Sequence, residues 1–183
     1  MRRSKGVRVT VLVEDRALER LAREVLYRLG FARREVYVEG YPVGRGSAKQ
    51  WVEKQYPGKV RTYRSKASFQ QIAMLVGTDA DEQTVKHHFD CLDSALKDAK
   101  LTQCGDDERI VIWVPKWNVE TWMLHLCGED VDEMENYKNK LKNPDFAAIA
   151  KCFVDRFHTS GSGSSGLLPS LQVALKETAR LDL

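Results

Sequence analysis

The chain has little that would tie it to an oxidising compartment, a thiolate metal site or a membrane. Its four cysteines, Cys91, Cys104, Cys127 and Cys152, are widely spaced and include no C-x-x-C pair. With only four histidines they give no zinc-ligand spacing, so buried, inert thiols are expected. No apolar run approaches the roughly 20 residues that span a bilayer. The opening Met-Arg-Arg-Ser-Lys-Gly leads into a strand-like segment and not into a signal-peptide core, so a cytoplasmic protein without membrane association is expected. A phosphate-binding G-x-x-x-x-G-K-[ST] is missing, which excludes an intrinsic ATPase of that type. Charge of one sign is also missing: 29 basic residues face 26 acidic ones, for a net +3. Net charge therefore does not mark a nucleic-acid binder, but basic residues do cluster at Arg33-Arg34, from Arg45 to Lys49 and from Lys59 to Lys66. Such clusters are either solvated faces or contacts for a polyanion.

What is present is an ordinary globular composition, 43% hydrophobic and 30% charged, in a chain long enough for one domain with a core and peripheral helices. Valines alternate over residues 7–13, which predicts a buried strand. Residues 15–29 repeat Leu18, Leu21, Ala22, Val25, Leu26 and Leu29 at helical spacing, with Gly30 placed to end the helix. A second strand is predicted over 34–39, then a glycine-bearing loop over 40–47 and a helix over 47–56 stopped by Pro57-Gly58. Residues 60–64 read as a short strand or an extended connection. The apolar run 72–77 predicts a third strand, and Val85, Phe89, Leu92, Ala95, Leu96 and Ala99 mark one face of a long helix. A fourth strand over 109–114 ends at Pro115, and Asn118 is placed to cap the helix through Trp122 to Leu126.

Strands alternating with helices at this spacing predict a parallel sheet of about four strands flanked by helices, an α/β core over residues 1–127. Residues 128–183 read as a helical annex: a polar, charged stretch at 131–141, a helix after Pro144, a Ser/Gly-rich loop at 159–166 and a last helix over 169–181. Ligands of open parallel sheets bind beyond the carboxyl ends of the strands. Those ends carry acids: Glu14 and Asp15 after the first, Asp79 and Asp81 after the third, and Glu120 shortly after the fourth. Asp79 and Asp81 are two apart, so an extended backbone would point both the same way. Neighbouring carboxylates repel, and Mg²⁺ (or Mn²⁺), which accepts two or three of them and keeps several waters, relieves that repulsion. The alternative is helix capping, a common duty of Asp after a strand.

In their order and placement these residues resemble the Toprim family, above all the compact Toprim modules of OLD-type nucleases and RloB-like prokaryotic defence proteins. The likeness rests on Val11, Leu12, Val13 and Glu14, with Glu19 five residues on; on Gly44 to Lys49; on the D-x-D of Asp79 and Asp81; and on Pro115 to Trp122. It covers roughly residues 7 to 126 and extends weakly to Leu168-Pro-Ser-Leu171. One departure is Asp15, which stands where that family usually has Gly; its side chain would crowd an approaching phosphate or add a ligand. The resemblance implies a Rossmann-like fold in which Glu14, Asp79 and Asp81 hold Mg²⁺ and act on a phosphodiester, with Glu120 as an auxiliary ligand. It further implies that Lys49 and Lys116 neutralise the scissile phosphate and that Arg45 contacts phosphate. For some members it implies a separate ATPase subunit as partner.

Trp117, in a loop beside Lys116, is the aromatic residue best placed to meet nucleic acid, whereas Trp113 and Trp122 are expected in the core. His87 and His88 diverge by about 100° on a helix, so one should pack while the other meets water. The expected activity is thus a Mg²⁺-dependent nuclease-like one in prokaryotic defence. Two rivals are a non-catalytic, metal-stabilised binding or assembly subunit, and a phosphoryl-accepting receiver-like domain built on Glu14, Asp15 and Asp79.

Overall fold

Alternation along β1 (Arg8–Val13) sends Val9, Val11 and Val13 to one face of a sheet and Leu12 to the other, and this two-sided demand organises the whole chain. The computed structural model describes residues 6–40, 48–138, 140–159 and 166–182. After β1 come α1 (Arg16–Arg28), β2 (Val36–Val38), α2 (Ala48–Lys66), β3 (Ile72–Gly77), α3 (Val85–Asp98), β4 (Ile110–Trp113), α4 (Val119–Leu126), α5 (Phe146–Thr159) and α6 (Pro169–Thr178). The four strands form one sheet, all parallel, in the order β2-β1-β3-β4. The α/β fold with a flanked four-stranded parallel sheet is as the sequence predicts.

Each face has its own core. On one, Val9, Val11 and Val13 meet Ala73 and Leu75 of β3 and Val111 and Trp113 of β4, covered by α1, α4, α5 and α6. On the other, Leu12, Met74, Val76, Ile110 and Ile112 lie under α2 and α3. No helix among the described residues is long and apolar enough to cross a membrane.

Register sets Val13, Gly77 and Trp113 in one row, so β1, β3 and β4 end level with one another. Gly77 is glycine because the first turn of α1 lies on it: a Cβ there would stand 2.7 Å from Leu18 Cδ2 and 3.0 Å from Val13 Cγ1. This close approach brings the start of α1 against the end of β3. The open edge of β4 is closed by α6, where Glu177 accepts the Ile112 N–H at 3.1 Å and Thr178 accepts the Trp113 indole N–H at 3.1 Å.

Two expectations are corrected, and one polar stretch acquires a task. The helix expected to stop before Pro57 runs on to Lys66, and residues 60–64 are its last turns, not a strand. Val52, Tyr56, Val60 and Tyr63 are all buried on one side of α2, and covering the sheet with that stripe outweighs the roughly 3 kcal/mol an internal proline costs a helix. The polar, charged stretch 131–141 is turns and bends among its described residues. It works as a strap: the Glu133 carbonyl accepts the Trp117 indole N–H, and its carboxylate accepts the Ser170 backbone N–H at the start of α6. Asn118 does precede α4, but makes no side-chain cap; its amide donates to Asn136 instead.

Candidate metal centre

From β1 the chain first moves to one side, to β2, and later to the other, to β3. The ends of β1 and β3 therefore flank the point where strand order reverses, the place where open parallel sheets leave a crevice. Glu14 and Asp15 leave β1 there, and Thr78 and Asp79 leave β3. One carboxylate oxygen from each of Glu14, Asp15 and Asp79 lies within 4.8 Å of the others. Glu14 Oε1 accepts the Asp79 backbone N–H and Oε2 the Thr78 hydroxyl, both at 2.9 Å, so this carboxylate staples the two strand ends. Asp15 has an extended backbone and accepts the Leu18 N–H at 2.8 Å, which makes it the N-cap of α1. Asp79 is only 4% exposed, and its Oδ1 is buried without a hydrogen-bond partner.

The electrostatics follow from this crowding. Burial, then Glu14, Asp15, Glu120 and Asp81, push the Asp79 carboxyl well above the ordinary carboxylate range. Burial raises Glu14 as well, against the lowering effect of its bonds from Asp79 and Thr78. Glu120, in the first turn of α4, is raised by burial and by Asp15. A buried acceptor with no donor, clustered with the carboxylates of Glu14 and Asp15 and raised further by Glu120 and Asp81, calls for a positive partner. A hard divalent cation fits that donor set of oxygens, and Glu14, Asp15 and Asp79 are the residues that would hold it.

The predicted site residues divide around this cluster. Glu14 and Asp79 are brought together, and Glu120 stands near enough to raise Asp79. Asp81 is not one of the three clustered acids. Its backbone is left-handed (φ 50°) and not extended, so the two aspartates do not project in parallel. Its exposed carboxylate faces Lys49 Nζ at 4.0 Å. Lys49 Nζ also lies 3.1 Å from His88 Nε2, which in turn lies 3.1 Å from the Ala80 carbonyl. Burial and Lys49 lower the His88 pKa, so the ring is neutral, packed beneath the Asp79–Asp81 turn, while His87 is exposed. Lys116 Nζ donates to the carbonyls of Asp81, at 2.6 Å, and Gln83, at 2.9 Å, and lies 4.3 Å from the centroid of the Trp117 ring. Trp117 is itself left-handed (φ 64°), half-buried, and its carbonyl accepts the Asp81 N–H at 3.2 Å. Two non-glycine residues at positive φ, bonded to each other and pinned by one lysine, form a strained turn beside the acids, the kind of feature that gathers at functional sites. Arg45 lies outside the described residues.

Two members of the site carry little weight in the sequence. Thr78 gives no signal of its own. Asp15 reads there as a departure from a pattern, yet an acid that both follows a strand and caps a helix is placed by its capping bond next to whatever the strand end holds. No protein-family model, curated protein or solved structure matched the chain.

Proposed function

We propose that the chain is a Toprim-like, Mg²⁺- or Mn²⁺-dependent phosphodiesterase acting on nucleic acid, of the kind found in prokaryotic defence. The observation that carries the reading is the buried, unpartnered Oδ1 of Asp79, set between Glu14 and Asp15 at the point of strand-order reversal. Bound there, a divalent cation supplies charge stabilisation to a phosphoryl oxygen and lowers the pKa of a coordinated water. The chain's own residues set the stage. Glu14 and Thr78 fix the two strand ends, so that the acids need not reorganise when charge arrives. Glu120, with its raised proton affinity, is the acid available to take or return a proton beside the cluster. Lys49, held between His88 and Asp81, offers a cation to a phosphate entering from the side of α2.

Supercoiled plasmid incubated with Mg²⁺ or Mn²⁺ tests the reading. Nicking is expected from the wild type and at least a hundredfold less from Asp79→Asn; equal nicking by both would exclude this site as its source.

A second reading has its own observation. Asp15 and Glu14 already serve as helix cap and strand staple, so a cation could act only to neutralise them in a non-catalytic assembly subunit, partnered in a larger complex by an ATPase. That form predicts a metal-dependent rise in melting temperature with no nicking under any metal.

A further inference from the structure

Strands of a parallel sheet covered on both faces read as near-continuous apolar runs. β1 departs from this on one face only. Val9, Val11 and Val13 are buried under α1, whereas the opposite face offers Arg8 and Thr10 before it reaches Leu12. Register places Thr10 beside Met74 of β3 and Tyr37 of β2, and Arg8 beside Ile72. These side chains floor a cleft of about 530 Å³, walled by Lys59, Thr62, Tyr63 and Lys66 from the second half of α2, with Arg34 among the residues that line it. The proline-crossing extension of α2 is what builds the wall.

The cleft draws together two of the basic clusters in the sequence, Arg33-Arg34 and Lys59 to Lys66, that the acidic site does not use. Of its four cations, Lys59 is neutralised by Glu39 at 2.5 Å. Arg8, Arg34 and Lys66 form no ion pair among the described residues. Arg34 is near enough to Glu35 to help lower that carboxyl, but three cations without a close ion pair lining one concavity still lower the free energy of a bound polyanion. Beside them Tyr37, on the edge strand, is 67% exposed, an unusual setting for a large ring in a strand. Duplex bases present no free face to such a ring; unpaired bases do.

We propose that this cleft binds single-stranded nucleic acid, with phosphates on Arg8, Arg34 and Lys66 and a base stacked on Tyr37. The proposal rests on the nucleic-acid half of the reading above and not on its metal. Arg8 and Glu14 lie at opposite ends of β1, about 20 Å apart at roughly 3.3 Å per residue. The cleft is therefore a separate binding element that would hold a strand leading toward the acids.

Fluorescence anisotropy of a short labelled oligodeoxythymidylate, in EDTA so that no cleavage intervenes, tests it. Wild type is expected to bind. An Arg34→Glu, Lys66→Glu double variant should bind at least tenfold more weakly and with a shallower salt dependence. Tyr37→Ala should lose roughly tenfold with its salt dependence unchanged. A Lys97→Glu, Lys176→Glu variant, with the same change in charge on remote exposed helix positions, should bind as wild type. Four results would overturn the proposal: no binding by the wild type; full affinity in a correctly folded Arg34/Lys66 variant, as judged by circular dichroism; equal loss in the Lys97/Lys176 control; or displacement of the oligonucleotide by thymidine monophosphate at equal concentration. Cleft-dependent binding without nicking under any metal would overturn only the phosphodiesterase reading, and nicking with no role for the cleft would overturn only this one.

Discussion

Asp79 keeps an ionisable group almost wholly out of water, with Glu14 and Asp15 in contact range and one of its own oxygens unpaired. Glu14 and Asp79 hold a proton more tightly in the folded chain than in the unfolded one. The stability linked to them is therefore full below the ordinary carboxylate range and is lost as pH rises through their raised values. Other acids work in the opposite sense: Arg64 lowers the Glu108 carboxyl, whose contribution is lost as pH falls. The clean observable is thus a difference between variants. In EDTA, Asp79→Asn should melt higher than the wild type at neutral pH, since the amide removes a buried carboxyl whose ionisation is opposed by burial and by its neighbouring acids. The gap should close as pH falls into the ordinary carboxylate range, where the acid is protonated in the unfolded chain as well as in the folded one. Adding Mg²⁺ should stabilise the wild type and leave Asp79→Asn unmoved, reversing their order.

At the scale of elements, the strands and helices with strong periodicity were legible. The third strand is predicted and found over Ile72–Gly77, and α1 lies within one residue of the predicted helix at each end. What was not legible depended on tertiary burial. Pro57 reads as a stop, and only the sheet surface beneath Val52, Tyr56, Val60 and Tyr63 carries α2 past it. The parallel Asp79 and Asp81 side chains assumed an extended backbone, whereas Lys116 and Trp117, more than 30 residues away, hold Asp81 left-handed. Glu14, Asp15 and Asp79 could be read as neighbours because each follows a strand; that Asp15 also caps α1 while it joins them needed the structure. Gly77→Ala tests how tightly α1 must approach β3: the new methyl would press on Leu18 and Val13 and should destabilise by about 1–3 kcal/mol in chemical unfolding. Because Leu18 is the residue whose N–H Asp15 caps, the same change should also weaken metal binding. Arg64→Ala makes a contrasting case far from the acids. Its guanidinium bonds Glu108 and the carbonyls of Thr102 and Gln103, tying α2 to the loop before β4. Its loss should cost about 2 kcal/mol of stability with metal affinity unchanged.

For the molecule as a whole, the sheet separates two tasks. The face under α1, α4, α5 and α6 is closed by apolar packing, and the annex helix α6 seals the free edge of β4. The other face is closed only where α2 and α3 lie over it, which leaves a basic cleft near the start of the strands while the acids gather at their ends. That polarity suits a polyanion held at one end of the sheet and met by a cation at the other. The acid cluster is the part on which the rest of the functional account depends. Isothermal titration of Mn²⁺ into the protein at neutral pH, in two buffers of different ionisation enthalpy, measures it most directly. Binding with release of protons from the raised carboxyls is expected in the wild type and should be abolished in Asp79→Asn. Absence of binding, or binding that Asp79→Asn leaves intact, would contradict the account.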